Sequence, residues 1–91
     1  MTSLDRRRVL HPGLHWVDFL RAANISQAEA ARQMHISPKH LNGILRGRAM
    51  PSADLTIRFA DLVHASPRLL WRQCCDYQLD LALGAEDVTP Q

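Results

Sequence analysis

The sequence predicts an all-α domain of five short helices. Apolar residues recur at spacings of three and four along most of the chain, and serine heads one helical stretch after another, twice followed by proline. No segment alternates with period two, so no sheet is expected. At 91 residues there is material for one compact core, and too little for a catalytic cleft between domains. The organisation expected is a flexible basic arm over residues 1–10, a helical domain over 11–83 and a disordered tail over 84–91.

Each element has its own signal. Pro12 opens the first helix, which runs to about Asn24 with Leu14, Val17 and Leu20 on one face, widened by Trp16 and Phe19. Ser26 caps the second, over roughly 27–34, and stands at capping-box spacing from Glu29. Ala28 and Ala31 are small enough to let another helix cross it closely. His35 falls where a turn needs left-handed backbone and glycine is usual; histidine is tolerated there at a cost of about 1 kcal/mol. Ser37 and Pro38 open the third helix, over about 38–46, with Ile36 and Leu41 placed as a hydrophobic staple. Gly47 ends it, and residues 48–51 form a loop. Ser52 caps the fourth helix, whose apolar face is Leu55, Phe59, Leu62 and Val63. Ser66 and Pro67 open the fifth, with Leu70, Cys74, Tyr77 and Leu81 on one face and Leu69, Trp71, Cys75 and Leu79 adding apolar surface elsewhere. Gly84 ends it.

The second and third helices are short and closely joined. Leu41, Ile44 and Leu45 face inward on the third, leaving Lys39, His40, Asn42, Gly43 and Arg46 outside. One buried face and one basic, amide-bearing face on so short a pair is what a helix-turn-helix requires. The charge agrees. Residues 1–48 carry eight Lys/Arg against three Asp/Glu, whereas residues 49–91 carry three against six. That division points to nucleic acid at one end and protein at the other. The fifth helix is too apolar around its circumference to lie outside a monomer, which predicts a homodimer; the alternative is that it wraps the first helix within one chain.

With these residues in place, the chain resembles the helix-turn-helix family of phage-repressor type (the XRE group), and within it the HigA-type antitoxins of toxin–antitoxin modules. The resemblance is carried by HPG at 11–13, ISQAEAA at 25–31, ISPKHLNGILRGR at 36–48, ADLTIRFADLV at 53–63 and SPRLLW at 66–71. Leu14 stands where that family commonly has an acidic residue, and after Trp71 the segment RQCCDYQLDL does not keep the family's tyrosine spacing. The resemblance implies a five-helix phage-repressor-like fold and a dimeric repressor of double-stranded DNA acting on an inverted-repeat operator. It also implies a RelE-like ribonuclease toxin as protein partner. A stand-alone regulator without a toxin and a protein-binding adaptor are the alternatives.

By position in the motif, Gln27 is expected at a phosphate, and Ser37, Pro38, Lys39 and His40 form the end of the third helix that enters the major groove. Lys39 can donate to guanine or neutralise a phosphate, and Asn42 is the best bidentate reader of adenine in the chain. Gly43 is unusual mid-helix; close approach to DNA explains it, and so does tight packing between helices. Arg46 and Arg48 suit phosphate anchoring, Arg32 is a weaker candidate, and Arg6, Arg7 and Arg8 are either a groove-reaching arm or a solvated run.

Other chemistry finds little footing. His11 and His15 have ligand-like spacing, but Pro12 and Gly13 intervene and no cysteine or carboxylate cluster joins them. Adjacent Cys74 and Cys75 point apart on a helix, so neither a disulfide nor a metal pair follows. There is no phosphate-binding glycine loop and no nucleophile–base arrangement at readable spacing. No enzyme activity and no cofactor are expected. Without an apolar run of membrane-spanning length or a secretory signal, a cytoplasmic protein without membrane partners is the expectation.

Overall fold

The computed structural model describes residues 7–90. Five helices follow one another as the serine and proline signals predict: α1 (Gly13–Ala23), α2 (Gln27–Met34), α3 (Pro38–Leu45), α4 (Ala53–Val63) and α5 (Pro67–Ala82). Ser26, Ser37, Ser52 and Ser66 each accept a hydrogen bond from the amide three residues on, at 3.1, 3.0, 3.1 and 3.2 Å. Each cap satisfies a donor that the helix itself leaves unpaired, a contribution of about 1 kcal/mol.

Three of the connections are built alike. Asn24, His35 and His64 all adopt left-handed backbone, with φ of 57, 59 and 58°. After each comes an apolar residue whose amide reaches back to the preceding helix: Ile25 to the Leu20 carbonyl at 3.0 Å, Ile36 to Ala31 at 3.1 Å and Ala65 to Ala60 at 2.9 Å. The next residue is the serine cap of the following helix. A Schellman closure is thus joined directly to an N-cap, and three residues suffice to reverse the chain. His35 takes the left-handed place its position demands.

The core lies among α1–α4 and the first half of α5. Trp16 and Phe59 stack almost parallel, with ring centroids 4.0 Å apart, and Phe19 meets Phe59 edge-on at 6.3 Å. Leu20, Ala30, Ala31, Met34, Leu41, Ile44, Leu45, Leu55, Ala60 and Leu70 close around them. On α1 the buried line is Gly13, Trp16 and Leu20, while Leu14 is only half-buried. On α2 the close-packed small residues are Ala30 and Ala31; Ala28 is exposed, which corrects the expected pair. On α5 only Leu70 and Cys74 of the expected face are buried, Tyr77 is half-buried, and Leu81 is exposed. Burial and the neighbouring Cys75 push the Cys74 thiol up to about 11.

Two further expectations are corrected. The capping box is half-formed: the Glu29 carboxylate binds Arg32 and, at 2.6 Å, the Gln33 amide. Those partners lie three and four residues on, along the helix face, where a carboxylate reaches them without leaving helical rotamers. There is also a sheet. β1 (Arg8–Val9) pairs in parallel with β2 (Glu86–Asp87), Arg8 opposite Glu86 and Val9 opposite Asp87. The Glu86 amide donates to the Arg7 carbonyl at 2.8 Å and the Val88 amide to Val9 at 3.0 Å. Strands of two residues are too short to show alternation, so no pattern announces them. Arg8–Val9 and Glu86–Asp87, within the expected arm and tail, are thus paired with each other; residues 1–6, with Arg6, and residue 91 lie outside the described residues.

Candidate nucleic-acid interface

The third helix is held from three sides, and each support is traceable to sequence. Leu41 and Ile44 are fully buried and Leu45 nearly so, anchoring one face. At its C-terminal end, α1 begins against it: a Cβ on Gly13 would stand 1.9 Å from the Ile44 carbonyl oxygen. Only glycine allows that approach, which gives the His11-Pro12-Gly13 segment a physical role. Beyond α3, Gly47 turns the chain at φ 79°, and the Arg48 amide donates back to the Gly43 carbonyl at 2.8 Å.

The same turn is backed by the C-terminal segment. A Cβ on Gly47 would lie 2.7 Å from Cγ2 of Thr89 and 3.2 Å from Cβ of His11. The His11 amide donates to Thr89 Oγ1 at 2.8 Å, and the Thr89 hydroxyl and amide both donate to the Asp87 carboxylate. Tyr77 donates to the other Asp87 oxygen at 2.5 Å, and its ring meets that of His11 edge-on at 5.2 Å. His11 is buried, its Nδ1 accepting from the Gly13 amide at 2.9 Å. Burial holds its pKa below the ordinary value, against the opposing pull of Asp87 and the Ala49 backbone. The Thr89 and Tyr77 hydroxyls keep the Asp87 carboxyl below its ordinary range, and burial pushes Tyr77 up to about 12. Sequence reading missed Asp87 and Thr89, because Thr89 is tied to His11 at the other end of the chain and Asp87 acts by holding Thr89.

The outward face of α3 carries Lys39, Asn42, Gly43 and Arg46 at helical spacing. Lys39 and Arg46 are exposed, and Asn42 and Gly43 half-buried. A Cβ on Gly43 would meet nothing closer than Ala49 at 3.9 Å, so crowding between helices does not account for this glycine. At the N-terminal end Ser37, Pro38 and His40 are exposed, with the His40 amide held by Ser37. Gln27 is exposed at the start of α2, and Arg48 is exposed just past the α3 turn. Arg32 is turned along α2 to Glu29. Arg7 pairs with Asp80 on α5 at 2.6 Å, so it does not extend as part of an arm. His11 and His15 are not a ligand pair, since His11 is buried with Nδ1 engaged while His15 is exposed. Among the described residues no group of three or more His, Cys, Asp or Glu could hold a metal, and no helix is long and apolar enough to cross a membrane.

Residues 20–72 match the family model of a helix-turn-helix domain. No curated protein matches the chain. Among solved structures, a Pseudomonas aeruginosa protein in complex with its operator DNA is 33% identical, with a TM-score of 0.72 over 79% of this chain and 80% of that one. The Pseudomonas aeruginosa antitoxin HigA with the higBA promoter is 32% identical, with a TM-score of 0.72 over 79% of each chain. An addiction-module antidote protein of the HigA family from Coxiella burnetii shares the fold, with 23% identity and a TM-score of 0.71 over 85% of this chain and 84% of that one.

Proposed function

Because this chain belongs to the helix-turn-helix family of phage-repressor type and is similar to HigA antitoxins, we propose that it is a sequence-specific DNA-binding repressor. It acts as the HigA-type antitoxin of a toxin–antitoxin module, autoregulates its operon and neutralises a RelE-like ribonuclease. The observation that carries the DNA-binding reading is the outward face of α3. Lys39, Asn42 and Arg46 flank a glycine that the fold itself does not need there, on a helix held rigidly from behind. A side chain at Gly43 would fill the space a base edge or sugar-phosphate occupies when a helix lies in the major groove.

In this reading Asn42 takes an adenine edge and Lys39 a guanine or phosphate, while Arg46 and Arg48 close on phosphates beside the helix end. Gln27 and the Ser37–Pro38 helix start approach the backbone where unpaired helix amides favour an anion, with His40 beside them. The exposed apolar side chains of α4 and α5, among them Ile57, Trp71 and Leu79, support a homodimer that presents two recognition helices to an inverted repeat. The Pseudomonas aeruginosa relatives whose structures contain operator or promoter DNA support the same partner.

Replacing Lys39, Asn42 and Arg46 together by alanine is expected to abolish operator binding with the fold intact, read by fluorescence anisotropy and circular dichroism. Unchanged affinity would leave a protein-binding role only. Co-expression with the neighbouring reading frame tests the antitoxin half: growth arrest relieved by this chain supports it, and absence of any growth effect would leave a stand-alone regulator.

A further inference from the structure

α1 packs mainly on α3 and α4, and α5 mainly on α4. A groove lined by both helices runs between α1 and α5. Its walls are stripes at helical spacing: His15, Asp18 and Phe19 on one side, Gln73, Asp76 and Asp80 on the other. Two hollows of about 230 and 370 Å³ share His15 and Gln73 in their walls, and Leu10 also lines the first. Phe19 and the exposed Leu10 make the groove partly apolar.

Its carboxylates are Asp18, Asp76 and Asp80, set beside His15, Gln73 and Tyr77. No lysine or arginine lines either hollow. Asp80 is held by Arg7, but Asp18 and Asp76 are exposed and have no ion-pair partner among the described residues. The Gln73 Oε1 atom is buried and accepts from no donor. A buried acceptor without a donor is unfavourable until something donates to it. None of these residues belongs to the outward face of α3, and the C-terminal half of the chain is the acidic half.

We propose that this groove seats an amphipathic segment of a partner protein bearing lysine or arginine. Its cations lie on Asp18 and Asp76, one donor reaches Gln73 Oε1, and its apolar side chains cover Phe19 and Leu10. The charge complementarity decides for a cationic occupant, and stripes on two helices that wall one groove suit a helix laid along it. The proposal rests on the reading of this chain as a regulator with a protein partner, and it places that partner where operator binding is left undisturbed.

The test uses the full chain, isotope-labelled, titrated with a short amphipathic leucine/lysine peptide and with its leucine/glutamate counterpart. The lysine peptide is expected to shift the amides of residues 15–19 and 73–76. Asp18→Asn with Asp76→Asn should weaken it by at least about tenfold, while Asp54→Asn with Asp61→Asn removes the same charge from α4 and changes affinity by less than about twofold. Equal weakening by both pairs, equal binding of the glutamate peptide, or a fall in sedimentation mass of the groove variant (which would assign the groove to self-association) would each overturn it. Operator binding is measured on the same samples. Its loss in the unaltered chain counts against the repressor reading and leaves the peptide result standing. Normal operator binding without groove shifts overturns the groove alone.

Discussion

Two glycines, alike in the sequence, have opposite reasons to exist. At Gly13 a side chain would run into the Ile44 carbonyl, whereas at Gly43 it would meet only Ala49 at ordinary contact distance. The first glycine therefore serves the fold, and the second costs the helix up to about 1 kcal/mol without any return inside the molecule. Gly13→Ala is expected to lose more than about 2 kcal/mol in chemical denaturation, because α1 must move off the end of α3. Gly43→Ala should leave stability unchanged or raise it by up to about 1 kcal/mol, while operator affinity falls by about tenfold or more. A destabilised Gly43→Ala protein with normal affinity would return that glycine to a packing role. In the sequence, Gly43 reads as either; only the space around it separates the two.

Among the elements, what was legible followed from local rules. The serine caps, the prolines at helix starts and the left-handed His35 are each satisfied within a few residues, so the sequence around them is enough. What was not legible depends on partners far along the chain. Trp16 rather than Leu14 centres the buried face of α1 because Phe59 stacks on it, and the β1–β2 pair joins segments too short to carry a pattern. The outward face of α3 was readable as a stripe, but the support of that helix from His11 and Thr89 was not. That support is pH-dependent. The His11 pKa is lowered from 6.5, so the unfolded chain binds its proton more readily, and stability falls as pH drops below 6.5. Protonation would also cost the bond from the Gly13 amide to Nδ1. Asp87, lowered from 3.8, acts in the same sense: its contribution is present above 3.8 and is lost as pH falls through its folded value. Denaturation midpoints followed against pH should show both losses, and His11→Gln should remove the first and keep the second. Persistence of the first step in that variant would assign it to another histidine.

At the scale of the whole molecule, charge and apolar surface divide the chain into two working sides. Positive charge gathers before residue 48, where α3 lies, and the exposed apolar side chains gather on α4 and α5. Ile57 is 57% exposed and Trp71 37%, and with Ala53 and Pro67 they line an apolar hollow of about 280 Å³. A lone domain gains nothing from leaving these side chains in water, whereas the proposed two-fold partner would cover them and would set two copies of α3 about one DNA turn apart. The dimer and the salt dependence of DNA binding are then one question. A dimer that neutralises about six phosphates has a slope of log affinity against log salt near −5, and a monomer that neutralises half as many has a slope of about −2.5. Ile57→Glu with Trp71→Glu is expected to keep the helical fold, since both side chains are already exposed, and to give a monomer in sedimentation. Its operator affinity should fall, and its salt slope should halve. A variant that sediments as a monomer yet keeps the full slope would mean that one copy makes all the phosphate contacts, and the two-fold arrangement would be wrong.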